Sequence, residues 1–290
     1  MKRNNSVFLI LGILFFLNIF AWIVVFELSQ PRFLEVIFFD VGQGDAIFIE
    51  TPQRHQILID GGPDSKILEK LGKEMPFWDR TIDLIILTHP EKDHLFGLLE
   101  VLKRYQVENI LWTGVQRETP EAEEWEKLIK EEKAKIFLSK AGQKIIFSRK
   151  EAENFMDIIH PFEDLKGREV KDSNNTSIVS RLVFGNNSFL FTGDIEKEVE
   201  ERLAEQNIFL DSDILKVAHH GSFTSSSENF IERVSPEIAV ISAGKKNQYG
   251  HPHREVLERL EKFGIKILRT DQMGNIRIFS NDKEYKIESD

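Results

Sequence analysis

The chain has 290 residues, with 48 acidic against 38 basic side chains, a net charge of −10, eight histidines and no cysteine. At 41% hydrophobic and 30% charged it is globular, and the missing thiols exclude a disulfide scaffold, thiolate zinc sites, iron–sulfur clusters and cysteine nucleophiles. The acidic balance argues against a broad basic face that grips nucleic acid, but not against phosphate recognition through bound metal ions.

The first predicted element is a membrane helix. From Asn4 to Phe26 runs a stretch of 23 residues without a charge, nearly all apolar. As a helix it spans about 34 Å, enough to cross a ~30 Å hydrocarbon core. Lys2 and Arg3 precede it, so the positive-inside bias places the N-terminus in the cytoplasm and the rest of the chain outside. The run is longer than a signal-peptide core and ends in Phe26-Glu27-Leu28, without a small-residue cleavage site, so an uncleaved, single-pass anchor is expected. Two domains follow from this: an anchor over residues 1–30 and an exported domain over 31–290.

Within the exported part, strands are predicted at about 33–39, 45–51, 55–60, 82–87, 108–113, 135–138, 153–159, 177–184, 187–192, 213–218, 237–242, 265–269, 274–280 and 283–288. Helical periodicity falls at about 64–73, 95–105, 119–134, 196–206, 226–234 and 253–263. One pattern recurs. A hairpin whose second strand ends in Asp60-Gly61-Gly62 is followed by a helix and then a strand ending in histidines. A second hairpin, ending in Gly193-Asp194, is again followed by a helix and a histidine-ended strand. Two such halves point to a pseudo-duplicated α/β sandwich whose polar strand ends meet at one edge.

The chemistry concentrates at those strand ends. His89-Pro90-Glu91-Lys92-Asp93-His94 packs four potential metal ligands into six residues, on a loop after an apolar strand. A loop converges side chains at a spacing that no regular element allows, and imidazoles with carboxylates suit zinc, manganese or iron. His219-His220-Gly221-Ser222 closes the second half. Adjacent histidines on an extended strand point to opposite sides, so one is expected to bind metal while the other supports it or handles protons. Asp194 is a plausible bridge between two cations.

These residues resemble a known family. Phe39-Asp40-Val41-Gly42-Gln43-Gly44-Asp45-Ala46, Ile59-Asp60-Gly61-Gly62, the Thr88-to-His94 motif, Thr192-Gly193-Asp194 and His219-His220-Gly221-Ser222 look like a metallo-β-lactamase-fold hydrolase. The chain is most similar to the C-terminal hydrolase domain of ComEC-type competence (DNA-uptake) proteins, and Tyr249-Gly250-His251-Pro252 continues the likeness. The resemblance implies an αββα sandwich with two divalent metal ions between the sheets, here preceded by one transmembrane helix. It implies His89 and Glu91 on one metal, Asp93 and His94 on the other, Asp194 bridging, and His219 or His220 completing the second site. Asp60, with Asp45, would orient the ligands from behind. Glu91 stands where the wider superfamily prefers histidine, which shifts the expected metal from zinc towards manganese. The histidine ligand that the superfamily carries before the Thr-Gly-Asp turn is missing, leaving Asp172, Asn174 and Asn175 as weak substitutes; His160 is more naturally a structural histidine at a strand end.

The implied activity is a membrane-anchored phosphodiesterase or nuclease acting on DNA or another phosphodiester outside the cell membrane. Asp93 would orient the attacking water, while His220 and His251 would serve as phosphate contacts or proton donors. The alternatives are a hydrolase for a lactone, thioester or lactam, and a degenerate binding subunit. The resemblance covers the hydrolase part alone, so any passage for DNA would need a separate channel partner.

Overall fold

A computed structural model describes residues 2–29, 33–147, 154–206 and 208–289. The chain divides into two units, Met1–Arg32 and Phe33–Asp290. The first holds helix α1 (Lys2–Ser29), whose described large side chains are exposed. Among the described residues no helix is long and apolar enough to cross a membrane, so the spanning anchor expected from the sequence is not established here. The domain boundary expected at residues 30 and 31 lies outside the described residues, as does residue 153 of an expected strand.

The second unit is an αββα sandwich. Its first sheet contains β1 (Leu34–Phe38), β2 (Ile47–Glu50), β3 (Gln56–Ile59), β4 (Thr81–Ile86), β5 (Gln106–Trp112) and β6 (Lys135–Leu138) in chain order. Helices α2 (Lys66–Glu74), α3 (Lys92–Leu102) and α4 (Pro120–Glu131) connect its later strands. The second sheet contains β7 (Lys144–Ile146), β8 (Phe155–His160), β9 (Val179–Phe184), β10 (Asn187–Phe191), β11 (Ile214–Lys216), β12 (Ile238–Ile241) and β13 (Lys266–Arg269). It is connected through α5 (Lys197–Glu205), α6 (Glu228–Val234) and α7 (Arg254–Lys262). The short helix α8 (Thr270–Met273) returns the chain to the first sheet, where β14 (Ile276–Ser280) and β15 (Tyr285–Ser289) complete the order β15-β14-β1-β2-β3-β4-β5-β6.

Alternation along the strands builds the layers. Val36, Phe38, Ile47, Ile49, Ile57 and Ile59 point inward and meet Leu182, Phe189 and Phe191 of the second sheet. Ile37, Phe48 and Leu58 point outward, under the apolar faces of α2, α3 and α4. The amphipathic stripes of α5 and α6, and of α7, cover the second sheet in the same way.

The duplicated halves are visible in the register. β2 and β3 pair antiparallel and β3 pairs parallel with β4; β9 and β10 pair antiparallel and β10 pairs parallel with β11. Both second strands therefore end at the same kind of edge, and this sets Asp60 and Asp194 against the histidines that follow β4 and β11. Two expectations change. Strand β7 and helix α8 carry no marked periodicity and were not anticipated, and α3 begins at Lys92 rather than at residue 95. Asp93 and His94 thus stand on the first turn of a helix, not on a free loop.

Candidate metal centre

The first half of the site is held by backbone geometry around Asp60, which adopts φ 59° where β3 ends. Its carboxylate accepts hydrogen bonds from Thr88 N (2.8 Å) and Thr88 Oγ1 (2.6 Å), and faces His94 Nδ1 at 2.8 Å. The start of α3 is pressed against this turn: Gly61 N donates to His94 O at 2.7 Å and Gly97 N donates to Gly62 O at 3.0 Å. Only glycine permits that approach, because a Cβ on Gly97 would lie 1.9 Å from Gly61 O. In the second half, Asp194 N donates to the Ser177 hydroxyl oxygen at 3.0 Å, which fixes the turn after β10.

His219 and His220 do not lie on an extended strand. Both take positive φ, 49° and 53°, in a tight turn after β11. The turn, rather than strand parity, decides which imidazole enters the site. His220 is buried and its Nδ1 donates to Ser242 O at 3.0 Å, leaving the Nε2 lone pair turned inward.

The side chains converge on Asp194 Oδ2, which is 3.2 Å from both His94 Nε2 and His220 Nε2; Asp93 Oδ2 lies 3.4 Å from His220 Nε2. One ligand atom from each of Asp93, His94, Asp194 and His220 falls within 4.8 Å of the others. His94 Nε2 and His220 Nε2 are buried without a hydrogen-bond partner, as are His89 Nε2, Asp45 Oδ1 and Asp194 Oδ1. Orphaned buried acceptors are costly, and a set of two imidazoles and two carboxylates turned on one point fits a divalent cation. Asp60 behind His94 and the Ser242 carbonyl behind His220 orient the two rings, as outer partners of metal-bound histidines do.

Electrostatics support the same reading. Burial lowers the proton affinity of His94 and His220, but Asp194, with Asp60 or Asp45, outweighs it and raises both well above the usual histidine range. Burial raises the carboxyl of Asp194 and the two imidazoles pull it well below the carboxylate range. One further cation lies beneath. Lys216 is fully buried, pairs with Asp45, and sits 3.8 Å from Asp194 Oδ1. Nothing in the periodicity of DILKVAHH distinguished this lysine; a lone charge within an apolar strand was the one available signal.

Other residues named from the sequence are placed differently. His89 is buried beside His94, with ring centroids 4.2 Å apart, outside the four-atom group; burial, then His94, pushes its pKa down to about 3. Glu91 turns to Arg117 and accepts a 2.8 Å hydrogen bond from Ser173 Oγ. His219 lies to the side, with Nδ1 3.1 Å from Thr224 Oγ1 and Nε2 3.4 Å from Asn174 Nδ2. Asp172 and Asn174 reach the cavity wall, whereas Asn175 binds Glu196 N through Oδ1. His251 is half-buried near His219 and His220, at ring distances of 5.6 and 6.2 Å, and burial followed by His220 pushes its pKa down to about 4. His160 stays outside, donating to Ser177 O at 2.8 Å. Above the cluster opens a cavity of about 310 Å³, with Glu91, Asp93, Arg117, Asp194, His220 and His251 in its lining.

Residues 39–245 match the family model of the metallo-beta-lactamase superfamily, and the chain belongs to that superfamily. It is 35% identical over 262 residues to ComE operon protein 3 of Bacillus subtilis, covering 84% of this chain and 32% of that protein. It is 33% identical over 251 residues to competence protein ComA of Neisseria gonorrhoeae, covering 83% and 32%. The chain therefore spans about a third of the length of these competence-protein relatives. Among solved structures it resembles Igni18, a metallo hydrolase from Ignicoccus hospitalis, with a TM-score of 0.54 at 15% identity, over 84% of this chain and 98% of that one. That likeness speaks for the fold.

Proposed function

We propose that the chain is a membrane-anchored, metal-dependent phosphodiesterase acting on DNA or a related phosphodiester outside the cell membrane. The observation that carries this reading is the convergence of Asp93, His94, Asp194 and His220 under an open cavity, in a chain related to competence proteins. A divalent ion bound there supplies Lewis-acid polarisation of a phosphoryl oxygen and activation of water. Asp194 would help to hold the ion, while Lys216 sits 3.8 Å from its Oδ1. Asp93, at the mouth of the cavity, is placed to orient a water. His251, neutral at physiological pH, suits hydrogen bonding to a phosphoryl oxygen better than proton delivery. Arg117, also in the lining, offers a fixed cation for a phosphate. A second ion, with manganese favoured over zinc for its tolerance of carboxylates, would use His89 Nε2 and requires Glu91 to leave Arg117.

The anchor reading rests on the uncharged run Asn4–Phe26 and on the exposure of α1, where Phe8, Phe16 and Trp22 show 71%, 71% and 68% of their surface. An apolar helix this bare needs lipid or protein cover, and Lys2 with Arg3 would keep its N-terminus cytoplasmic. The test is purified full-length chain with manganese, assayed on single-stranded DNA and bis-p-nitrophenyl phosphate beside nitrocefin and a lactone. Phosphodiester cleavage that disappears in Asp194→Asn is expected. Cleavage of nitrocefin or the lactone alone, or of nothing, overturns the proposal.

A further inference from the structure

The domain carries an exposed aromatic pair far from the metal centre. Phe77 and Trp78 are 81% and 73% exposed, the highest values among the large apolar side chains of the second unit, and their rings stack edge-on at 4.7 Å. They sit in the turn between α2 and β4. That turn is not loose: Asp79 accepts from Gln56 Nε2 at 3.0 Å, and Arg80 O accepts from Gln106 N at 2.8 Å. The pair is therefore held out into solvent by anchored neighbours on both sides.

Sheet topology fixes which edge this is. β1 is antiparallel to β2, β2 is antiparallel to β3, and β3 is parallel to β4. β1, β3 and β4 thus all begin at the edge of Phe77 and Trp78, and β3 and β4 end at the metal centre. β4 is six residues long, so the two edges lie about 20 Å apart. Phe33, the residue before β1 and 41% exposed, is at the same edge, and in sequence only six residues separate it from the apolar run. Arg80, Lys103 and Arg104 are exposed at the same edge, where Arg80 donates to the Tyr105 hydroxyl at 3.1 Å and the other two, just past the end of α3, pair with Glu100. Exposed aromatics with flanking Arg and Lys are the composition of a membrane–water interface.

We propose that Phe77 and Trp78 insert into the headgroup region of an anionic lipid surface, so that the domain rests on this edge and the metal centre opens away from the bilayer. The proposal rests on the membrane reading above, and the two can fail separately. Because the chain has no cysteine, single-cysteine variants label cleanly. Full-length Ile13→Cys, Phe77→Cys and Lys245→Cys would carry an environment-sensitive fluorophore, in nanodiscs of anionic or neutral lipid containing a nitroxide-bearing lipid. Phe77 is mostly in solvent, so its replacement leaves the fold intact, and Trp78 remains in place. Quenching at positions 13 and 77 at least twofold above that at 245, with position 77 weaker in neutral lipid, is expected. Quenching at 13 with none at 77 overturns the proposal and leaves the anchor standing. Quenching at neither overturns both. A label at 77 shielded from water yet unquenched marks a protein contact and also overturns it.

Discussion

Lys216→Met tests the electrostatic reading of the centre without touching a metal ligand. The lysine is fully buried, pairs with Asp45 and sits 3.8 Å from Asp194 Oδ1. At that distance and an effective dielectric constant of about 20, the Asp194 interaction alone is worth about 4 kcal/mol. The two carboxylates do not add freely. Burial raises Asp45 and Lys216 is the first of the neighbours that lower it, so without the lysine Asp45 shifts towards its protonated form against the pull of His220 and His94, which limits the loss. Breaking a buried pair by removing one partner costs about 3–5 kcal/mol. At roughly 2–4 °C per kcal/mol, Tm in chelator should fall by about 6–20 °C. Manganese should recover much of that, because the ion offsets the same carboxylates. The assay is thermal unfolding followed by circular dichroism, in chelator and in manganese. A Tm within about 2 °C of wild type, or a deficit equal in the two conditions, would refute the reasoning.

Three further substitutions probe the frame. Gly97→Ala places a Cβ 1.9 Å from Gly61 O and should cost about 1–3 kcal/mol by overpacking, measured by denaturant unfolding. Since α3 carries Asp93 and His94, manganese affinity by calorimetry should fall at least about tenfold; Gly72→Ala, with nothing within 4 Å, should leave that affinity unchanged. His160 gives a pH dependence. Burial pushes its pKa down to about 4, below the ordinary histidine value of about 6.5, so the unfolded chain takes up the proton first. Its contribution is complete above pH 6.5 and drains away as pH falls to about 4, by up to about 3 kcal/mol. His160→Gln should lose correspondingly less stability between pH 7 and 4.5, and an unchanged slope would refute the assignment.

The sandwich and the edge that carries the site were legible because hydrophobic alternation and the two Asp-then-His halves are local patterns. Asp60, Asp93, His94 and Asp194 each follow or open a regular element, so their positions are set within a few residues of the motif. What stayed hidden depends on distant partners. Glu91 reads as a ligand from spacing, yet Arg117 and Ser173, on other segments, capture its carboxylate. The choice between His219 and His220 turns on two positive φ angles that a strand-parity argument does not contain. Lys216 looks like an ordinary strand residue until β10 brings Asp194 beside it.

The buried charges also explain why a chain so acidic can hold this centre together before any ion arrives. Asp45, Asp60 and Asp194 are almost wholly buried, and Lys216 is the one fully buried lysine among the described residues. Three carboxylates facing one ammonium are not balanced, and the deficit appears in the histidines: His94 and His220 are driven towards their protonated forms by Asp194, with Asp60 and Asp45 behind it. Protons and a divalent ion are therefore alternative occupants of the same field. Binding an ion needs the Nε2 lone pairs of His94 and His220 and so competes with protonation there, which ties metal affinity to pH. Lys216 cannot be displaced in this way, because it lies behind Asp194 rather than among the ligand atoms. It lowers the charge that the ion must balance and leaves Asp194 Oδ2 turned to the cavity.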